Sequence, residues 1–162
     1  MEHLYFAYGS NLRASQMLRL CPGHKHLGVA RLDNHRLAFT LPDTEWQGGV
    51  ADVIASAGDA VWGALYRLPA TDLPSLDAYE GYEPSGPEEA NEYVRRLVTV
   101  TTGVEQRAVQ AWCYFVRAPC GHVAPSAIYR AALIDGALER GLPADYIRAM
   151  RKAFDDKGTR SA

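Results

Sequence analysis

The 162-residue sequence predicts an α+β domain built around a small, largely antiparallel sheet. Apolar segments typical of strands follow one another in pairs separated by turn residues. Segments with the apolar spacing of helices occur at the start, in the middle and at the end of the chain. Strands grouped apart from helices indicate α+β, and so many short strands in one domain could close into a barrel. The length favours one domain, which we expect to span residues 1–155, with a frayed tail at 156–162.

The first half of the chain contains most of the expected strands. A buried strand is predicted from about Leu4 to Tyr8, and a helix from about Asn11 to Leu20 that ends before Pro22-Gly23. Four further strands are expected: 28–32 and 35–41, joined by a turn at Asp33-Asn34, and 48–54 and 61–68, paired as a hairpin around a turn at 57–60.

The second half predicts one more hairpin among three helices. A helix that Thr71 or Asp72 can open should end at Glu80-Gly81. The polar segment 82–91 is expected to be a mobile surface loop, and we consider it a candidate lid. Strands at 93–101 and 108–116 form the hairpin. The last two helices begin at Pro125-Ser126, where Gly141 ends the helix, and at Pro143.

Composition excludes several classes of function. A net charge of −2 gives no general attraction to nucleic acid or to anionic membranes. No apolar run is long enough to span a bilayer, and no signal segment is evident, so the cytoplasm is the expected location. Three cysteines (Cys21, Cys113 and Cys120) lack paired metal-ligand spacing and are expected to be reduced. We therefore expect neither a metal site nor another cofactor.

The segment Tyr8-Gly9-Ser10-Asn11-Leu12 joins the first strand to the first helix. Gly9 can adopt backbone angles closed to other residues, and Ser10 or Asn11 can cap the helix with a side-chain oxygen. Such a turn presents backbone N–H groups near a positive helix end, where a carboxylate or phosphate can bind. On this segment alone, an ordinary strand-to-helix turn is the better interpretation.

Glu80 is the residue best suited to proton transfer. It lies at the C-terminal end of a short helix, where the helix dipole disfavours a negative charge, and cover from Tyr79, Tyr82 or Trp62 would raise its pKa further. A glutamate with a raised pKa can accept and return a proton near neutral pH. The alternative is a solvated glutamate at a helix end, which is the more common situation.

Several segments, taken in order along nearly the whole chain, resemble the gamma-glutamylcyclotransferase family, also called AIG2-like. The matching segments are Tyr8-Gly9-Ser10-Asn11-Leu12, Val61-Trp62-Gly63-Ala64-Leu65-Tyr66, Leu76-Asp77-Ala78-Tyr79-Glu80-Gly81, Tyr93-Val94-Arg95-Arg96, Pro125-Ser126 with Tyr129, and Gly136-Ala137-Leu138-Glu139-Arg140-Gly141-Leu142-Pro143 with Tyr146. The resemblance implies a small mixed, largely antiparallel β-barrel with flanking helices, which agrees with the pattern described above. It also implies a single gamma-glutamylcyclotransferase-like domain.

The resemblance further implies roles for individual residues. Glu80 would be the catalytic acid–base, and Tyr8, Gly9, Ser10, Asn11 and Leu12 would hold the γ-glutamyl group. Tyr93 and Tyr114 match positions near the family's pocket. The segment between Glu80 and Tyr93 is longer than expected, so Tyr82 could take the place of Tyr93. Arg95 and Arg96 alternate across a strand, so only one of them can face the site.

The expected reaction releases 5-oxoproline by attack of the substrate α-amine on its own γ-glutamyl carbonyl. The leaving group is an amine or an amino acid, and the chemistry requires no metal and no enzyme nucleophile. Alternatives are a cyclotransferase acting on a γ-glutamyl amine or a γ-glutamylated carrier intermediate, and a noncatalytic carboxylate-binding protein with the same fold. The expected partner is a small molecule, with no nucleic acid or membrane, for a monomer or homodimer.

Overall fold

The fold is a closed five-stranded barrel with helices packed around it. The computed structural model describes residues 1–156, so the predicted tail, apart from Asp156, lies outside the described residues. The strands are β1 Glu2–Ala7, β2 Lys25–Asp43, β3 Gly48–Pro69, β4 Tyr93–Thr102 and β5 Ala108–Val116. The helices are α1 Ala14–Leu20, α2 Leu73–Tyr79, α3 Ala127–Arg140 and α4 Ala144–Ala153.

The strands follow the order β1-β3-β2-β4-β5 around the barrel. Neighbouring strands are antiparallel, except that β1 and β5 run parallel where Tyr5 pairs with Trp112 and the barrel closes. Closure removes the two edges that an open sheet would expose. The predicted mixed, largely antiparallel barrel with flanking helices is confirmed.

The pairing of β2 with β3 differs from the sequence-based prediction. The predicted turns at 33–34 and 57–60 are wrong, because each lies within one long strand and the two strands form a single hairpin with its turn after Asp43. The two sites face each other at a bulge, where Asn34 has a φ of 58° and Gly58 a φ of 83°. The Gly58 N–H donates to Asn34 Oδ1 at 3.1 Å. Turn-type residues therefore bend a long ribbon here instead of ending its strands.

The start of the first helix also differs from the prediction. Ser10–Leu12 form a 3-10 turn, and α1 begins only at Ala14, with no side-chain capping hydrogen bond. The side chains of Ser10 and Asn11 contact residues far away in the chain instead. Elsewhere the helix signals hold, since Ser126 Oγ accepts the Tyr129 N–H at 3.2 Å and Gly141 ends α3 with a φ of 72°.

The core fills the barrel and the space beneath its helices. Phe6, Tyr66 and Phe39 are fully or almost fully buried, as are Leu133 of α3 and Met150 of α4. Cys21, Cys113 and Cys120 are free thiols. Within residues 1–156, every helix is too short or too polar to cross a membrane.

Candidate active site

A narrow cleft lies where the 3-10 turn after β1 meets the end of α2. It contains about 310 Å³ of free space when the part open to solvent is counted. Side chains and backbone from four strands, the 3-10 turn and α3 surround it. The lining residues are Tyr5, Tyr8, Gly9, Ser10, Asn11, Ala51, Glu80, Tyr93, Tyr114 and Tyr129.

Glu80 enters this cleft because α2 ends at that residue. The Glu80 N–H donates to Leu76 O at 3.1 Å, and Gly81 then turns the chain away with a φ of 61°. A Cβ on Gly81 would also come within 2.9 Å of Glu92 Oε2, so glycine suits this position for two reasons. The turn leaves the Glu80 carboxylate facing the barrel residues that line the cleft.

The pKa of Glu80 is raised to about 8. Burial is the largest cause, because a carboxylate removed from water favours its neutral form. A hydrogen bond from Asn11 Nδ2 to Glu80 Oε1, 3.0 Å long, lowers the pKa, whereas the charges of Asp77 and Glu92 raise it. None of the residues expected to cover Glu80 (Tyr79, Tyr82 and Trp62) lines the cleft.

Both the side chain and the backbone carbonyl of Asn11 make hydrogen bonds. Its side chain donates to Glu80 and to the Tyr5 hydroxyl at 2.9 Å, while its carbonyl accepts from the Tyr66 hydroxyl at 2.8 Å. Asn11 Oδ1 is buried and has no hydrogen-bond partner among residues 1–156. The next carbonyl, that of Leu12, accepts from Arg140 Nε at 2.9 Å. Tyr66 and Arg140 thus fix the turn that presents Asn11 to Glu80.

The tyrosines of the cleft are fixed by hydrogen bonds to the backbone or to side chains. Tyr8 donates to Tyr114 O at 2.6 Å, and Tyr93 donates to Ala51 O at 2.7 Å. The Tyr129 hydroxyl accepts from the Ala51 N–H at 2.9 Å. Burial raises the pKa of Tyr8, Tyr93 and Tyr129, so these phenols are neutral hydrogen-bonding groups at physiological pH.

Gly9 faces the cleft, but not for the backbone reason expected from the sequence. Its φ is −118°, outside the left-handed region. A Cβ at this position would lie 3.3 Å from the Ala51 Cβ and 3.5 Å from the Tyr129 hydroxyl. Glycine therefore keeps the cleft open at this point. Gly136 has a related role on α3, since a Cβ there would come within 2.7 Å of the Leu12 Cβ.

The structure brings most of the predicted site residues together. Seven of them line the cleft: Tyr8, Gly9, Ser10, Asn11, Glu80, Tyr93 and Tyr114. Leu12 is fully buried in the core and does not line it. Tyr93 lines the cleft, whereas Tyr82 packs against the Tyr114 ring. The candidate lid, 82–91, contributes no lining residue, and its role as a lid stays a prediction.

Three lining residues were not assigned to the site from the sequence: Tyr5, Ala51 and Tyr129. Tyr5 adjoins the segment singled out as an anion site, and Tyr129 lies in a segment that carries the family resemblance. Ala51 offers no such signal, since an alanine inside a strand has no chemistry of its own. It reaches the cleft through its backbone, whose N–H and carbonyl bind Tyr129 and Tyr93.

No group of three or more His, Cys, Asp or Glu side chains that could hold a metal ion occurs within the part of the chain that the structure describes. His24, His26, Cys120 and His122 do not line the cleft. His24 and His26 pack against the Tyr66 ring. Cys120 Sγ donates to Thr40 O, and the His122 ring contacts Phe39.

Comparison with known proteins identifies the family. The sequence pattern described as "Gamma-glutamyl cyclotransferase, AIG2-like" matches residues 5–131. The chain belongs to this family. Gamma-glutamylcyclotransferases from Bos taurus and Homo sapiens are 35% and 33% identical to it over 148 residues, which cover 88% of this chain and 74% of each relative.

Two solved structures have the same architecture as this chain. A structure titled gamma-glutamyl cyclotransferase superposes with a TM-score of 0.85 at 30% identity, and covers all of this chain and 93% of its own. The structure of a Homo sapiens protein titled uncharacterized protein loc79017 superposes with a TM-score of 0.84 at 31% identity, over 99% of this chain and 92% of its own. The region matched by the family pattern contains every lining residue of the cleft, from Tyr5 to Tyr129.

Proposed function

We propose that this protein is a gamma-glutamylcyclotransferase that forms 5-oxoproline from γ-glutamyl compounds, with Glu80 as its acid–base group. The observation that carries the proposal is the Glu80 carboxylate, which lines the cleft and has a pKa of about 8. Family membership and the names of the relatives point to the same activity. A substrate ammonium group loses its proton in the same range of pH, so one carboxylate can accept that proton and later return it.

The reaction needs little from the protein beyond folding the substrate and moving a proton. The α-ammonium gives a proton to Glu80, and the free amine forms a bond to the γ-carbonyl carbon. The C–N bond to the leaving group then breaks as Glu80 returns the proton to the departing nitrogen. The attacking nitrogen gives its second proton to the released amine or to water, which leaves the neutral ring amide of 5-oxoproline. Because the amine and the carbonyl belong to one molecule, the ring closure is intramolecular, and the protein has only to hold the substrate in the bent conformation that brings the two groups together.

Residues of the cleft suit the groups of such a substrate. Asn11 Oδ1, buried beside Glu80 and without a partner among residues 1–156, can accept an N–H of the ammonium group. The backbone of Gly9, Ser10 and Asn11 is suited to the α-carboxylate or to the oxyanion that develops at the γ-carbonyl. The hydroxyls of Tyr5 and Tyr129 accept bonds from the protein, so each has its own hydrogen to donate. Tyr93 and Tyr114 complete the walls.

A product assay with a panel of substrates tests this proposal. The protein is incubated separately with γ-glutamyl dipeptides, γ-glutamyl amines and glutathione, and 5-oxoproline is quantified by mass spectrometry. We expect 5-oxoproline in equimolar amount with the released amine for at least one class, and the class that reacts identifies the leaving group. Binding of these compounds without any product would instead support a noncatalytic carboxylate-binding protein. Reaction only with the γ-glutamyl amines would support the alternative of a cyclotransferase that acts on a γ-glutamyl amine.

The proposed reaction involves one small molecule, and we expect a monomer or homodimer acting in the cytoplasm. The residues named above as lining the cleft all belong to one chain. Light scattering coupled to gel filtration measures the oligomeric state, and the specific activity should be independent of protein concentration across the assay range. A fall in specific activity on dilution would show that the cleft depends on a second copy.

A further inference from the structure

Arg95 lies behind the cleft, where several contacts hold its side chain. Its Nη1 donates to both oxygens of Asp77, at 2.9 Å and 2.8 Å. The guanidinium group also lies over two aromatic rings, with its carbon Cζ 4.7 Å from the centre of Trp112 and 5.5 Å from the centre of Tyr82. The two charged side chains are only 13% and 8% exposed. A pair this well buried loses much of its stabilisation when one partner is removed, because the other charge is then left without compensation.

Asp77 connects this pair to the cleft in two ways. It belongs to α2, three residues before Glu80, and its carbonyl accepts the Tyr82 N–H at 2.9 Å where the chain turns away from the helix. Its carboxylate also accepts the Tyr114 hydroxyl at 2.6 Å. Tyr114 lines the cleft and pairs directly with Arg95 across strands β4 and β5. A single anchor therefore holds both the end of α2 and one wall of the cleft.

We propose that Arg95 is a positioning residue of the reaction, acting through Asp77 to fix Glu80 and the Tyr114 ring relative to one another. This inference rests on the proposed function, since it concerns the same cleft. Arg95 does not itself line the cleft. Its neighbour Arg96 is exposed, with its guanidinium over the Phe115 ring, and so it provides a matched control one residue away on the same strand.

The pair also sets the charge that Glu80 experiences. Asp77 and Glu92 are the acids whose charges raise the pKa of Glu80. The other titratable groups coupled to Glu80 are Tyr5, Tyr8, Tyr79, Tyr93, Tyr114, Tyr129 and the Cys113 thiol. Burial raises the pKa of each of these groups, so they stay neutral where Glu80 titrates. Among the residues of the anchor, Asp77 is thus the charge that acts on Glu80, and Arg95 is its counter-charge.

Four variants test the inference: Arg95→Gln, Asp77→Asn, the double variant with both changes, and the control Arg96→Gln. We expect kcat to fall about 10- to 100-fold in Arg95→Gln, because a small displacement of the acid–base group has effects of that size. Arg96→Gln should retain the parent kcat. The pH at which kcat/KM reaches half its plateau should rise in Arg95→Gln, where the Asp77 charge lacks its partner, and fall in Asp77→Asn. The double variant should lie between them.

Opposite pH shifts are the result that a purely structural role would not give. If Arg95→Gln folds but matches Arg96→Gln in both kcat and pH profile, the inference is overturned. If Arg95→Gln does not fold by near-UV circular dichroism, Asp77→Asn and the double variant decide, and an unchanged pH profile in both also overturns it. An inactive parent protein in the same assay would overturn the proposed function itself. If the parent protein is active and the variants behave like it, only the proposed role of Arg95 is overturned.

Discussion

Two carboxylates with raised pKa values, Glu80 beside the cleft and Asp52 on strand β3, have opposite surroundings. Asp52 is 2% exposed and accepts three hydrogen bonds: from the Thr40 hydroxyl at 2.9 Å, the Val53 N–H at 2.8 Å and the Val116 N–H at 3.0 Å. Among residues 1–156, Glu80 accepts one hydrogen bond, from Asn11, and it faces free space. Burial is the largest cause of the raised pKa in both.

The two buried acids differ in how many hydrogen-bond donors their carboxylates already contact. Two of the three donors connect Asp52 to β2 and β5, the third is its chain neighbour Val53, and all three lower its pKa against the effect of burial. Its hydrogen-bonding capacity is directed to holding strands together. Glu80 keeps capacity for a substrate, and burial moves its pKa to where proton exchange is useful. Ala51, next to Asp52, lines the cleft, so the two regions are adjacent in the chain.

The largest expected effect is on catalytic activity, and it distinguishes Glu80 from Asp52. Glu80→Gln should fold and still accept the Asn11 hydrogen bond, but it cannot carry a proton, so kcat should fall about 10²–10⁴-fold. Glu80→Asp keeps a proton carrier one methylene shorter and should show an intermediate loss. The surface acids Glu83, Glu88 and Glu89 provide matched Gln controls that should retain the parent rate. Formation of 5-oxoproline at the parent rate by folded Glu80→Gln would falsify the mechanism.

The next largest effect is on the free energy of unfolding, and it distinguishes Asp52 from Glu80. Asp52→Ala leaves the buried Val116 N–H and Thr40 hydroxyl without this acceptor, so the free energy of unfolding should fall by about 2–4 kcal/mol in urea titrations. Asp52→Asn keeps an acceptor oxygen and should cost less. Asp33→Ala, at an exposed strand position, should change stability by less than about 0.5 kcal/mol. A large loss of kcat in stably folded Asp52→Ala would end the distinction between the two acids.

A third prediction concerns the single donor to Glu80. In the parent protein, kcat/KM should rise with pH through an apparent pKa of about 8, because Glu80 must be ionised to accept the proton. The Asn11 hydrogen bond lowers the pKa of Glu80, so Asn11→Ala should move this rise to higher pH. Gln110→Ala, at an exposed position of β5, should leave the profile in place. An acid limb that titrates near pH 4.5 in the parent would show that burial does not tune Glu80.

The smallest effect is the pH dependence of stability. A carboxylate whose pKa is raised in the folded state contributes stability below its unfolded pKa, and that contribution is lost as pH rises towards the folded pKa. For Glu80 this window runs from about 4.5 to about 8. Glu80→Gln should therefore flatten the fall in Tm over this window, and at pH 8 its Tm should exceed that of the parent by about 2–4 °C, equivalent to about 1 kcal/mol. An equal fall in both proteins would place the responsible group elsewhere, with Asp52 as the next candidate.

Local signals predicted the elements whose partners are close in the chain. The Ser126 cap and the Gly141 end of α3 depend on contacts within a few residues, and both occur as expected. The bulge at Asn34 and Gly58 was mistaken for two turns, because a turn-type residue specifies a backbone angle but not whether the strand continues. Pairing with a partner more than 20 residues away decides that question.

Ser10 and Asn11 show the same limit at the site. Both residue types favour helix caps, and the sequence placed them correctly beside a helix. In the folded chain their side chains contact Tyr79 and Glu80, 69 residues away, and neither side chain caps the 3-10 turn or α1. The distinction between Tyr93 and Tyr82 as the residue lining the cleft likewise depended on a long-range contact, the hydrogen bond from the Tyr93 hydroxyl to the Ala51 carbonyl.

The sequence by itself determined the fold class and the family, and it singled out Glu80 as the candidate acid, because apolar periodicity, turn residues and ordered motifs are present along the chain. Only the tertiary structure decided which residues meet at Glu80, how strongly its pKa is raised, and which partners surround Asp52 and Arg95. The physical reason is that burial and charge pairing depend on groups brought together from distant parts of the chain. Their effect on one carboxylate exists only after the barrel has closed.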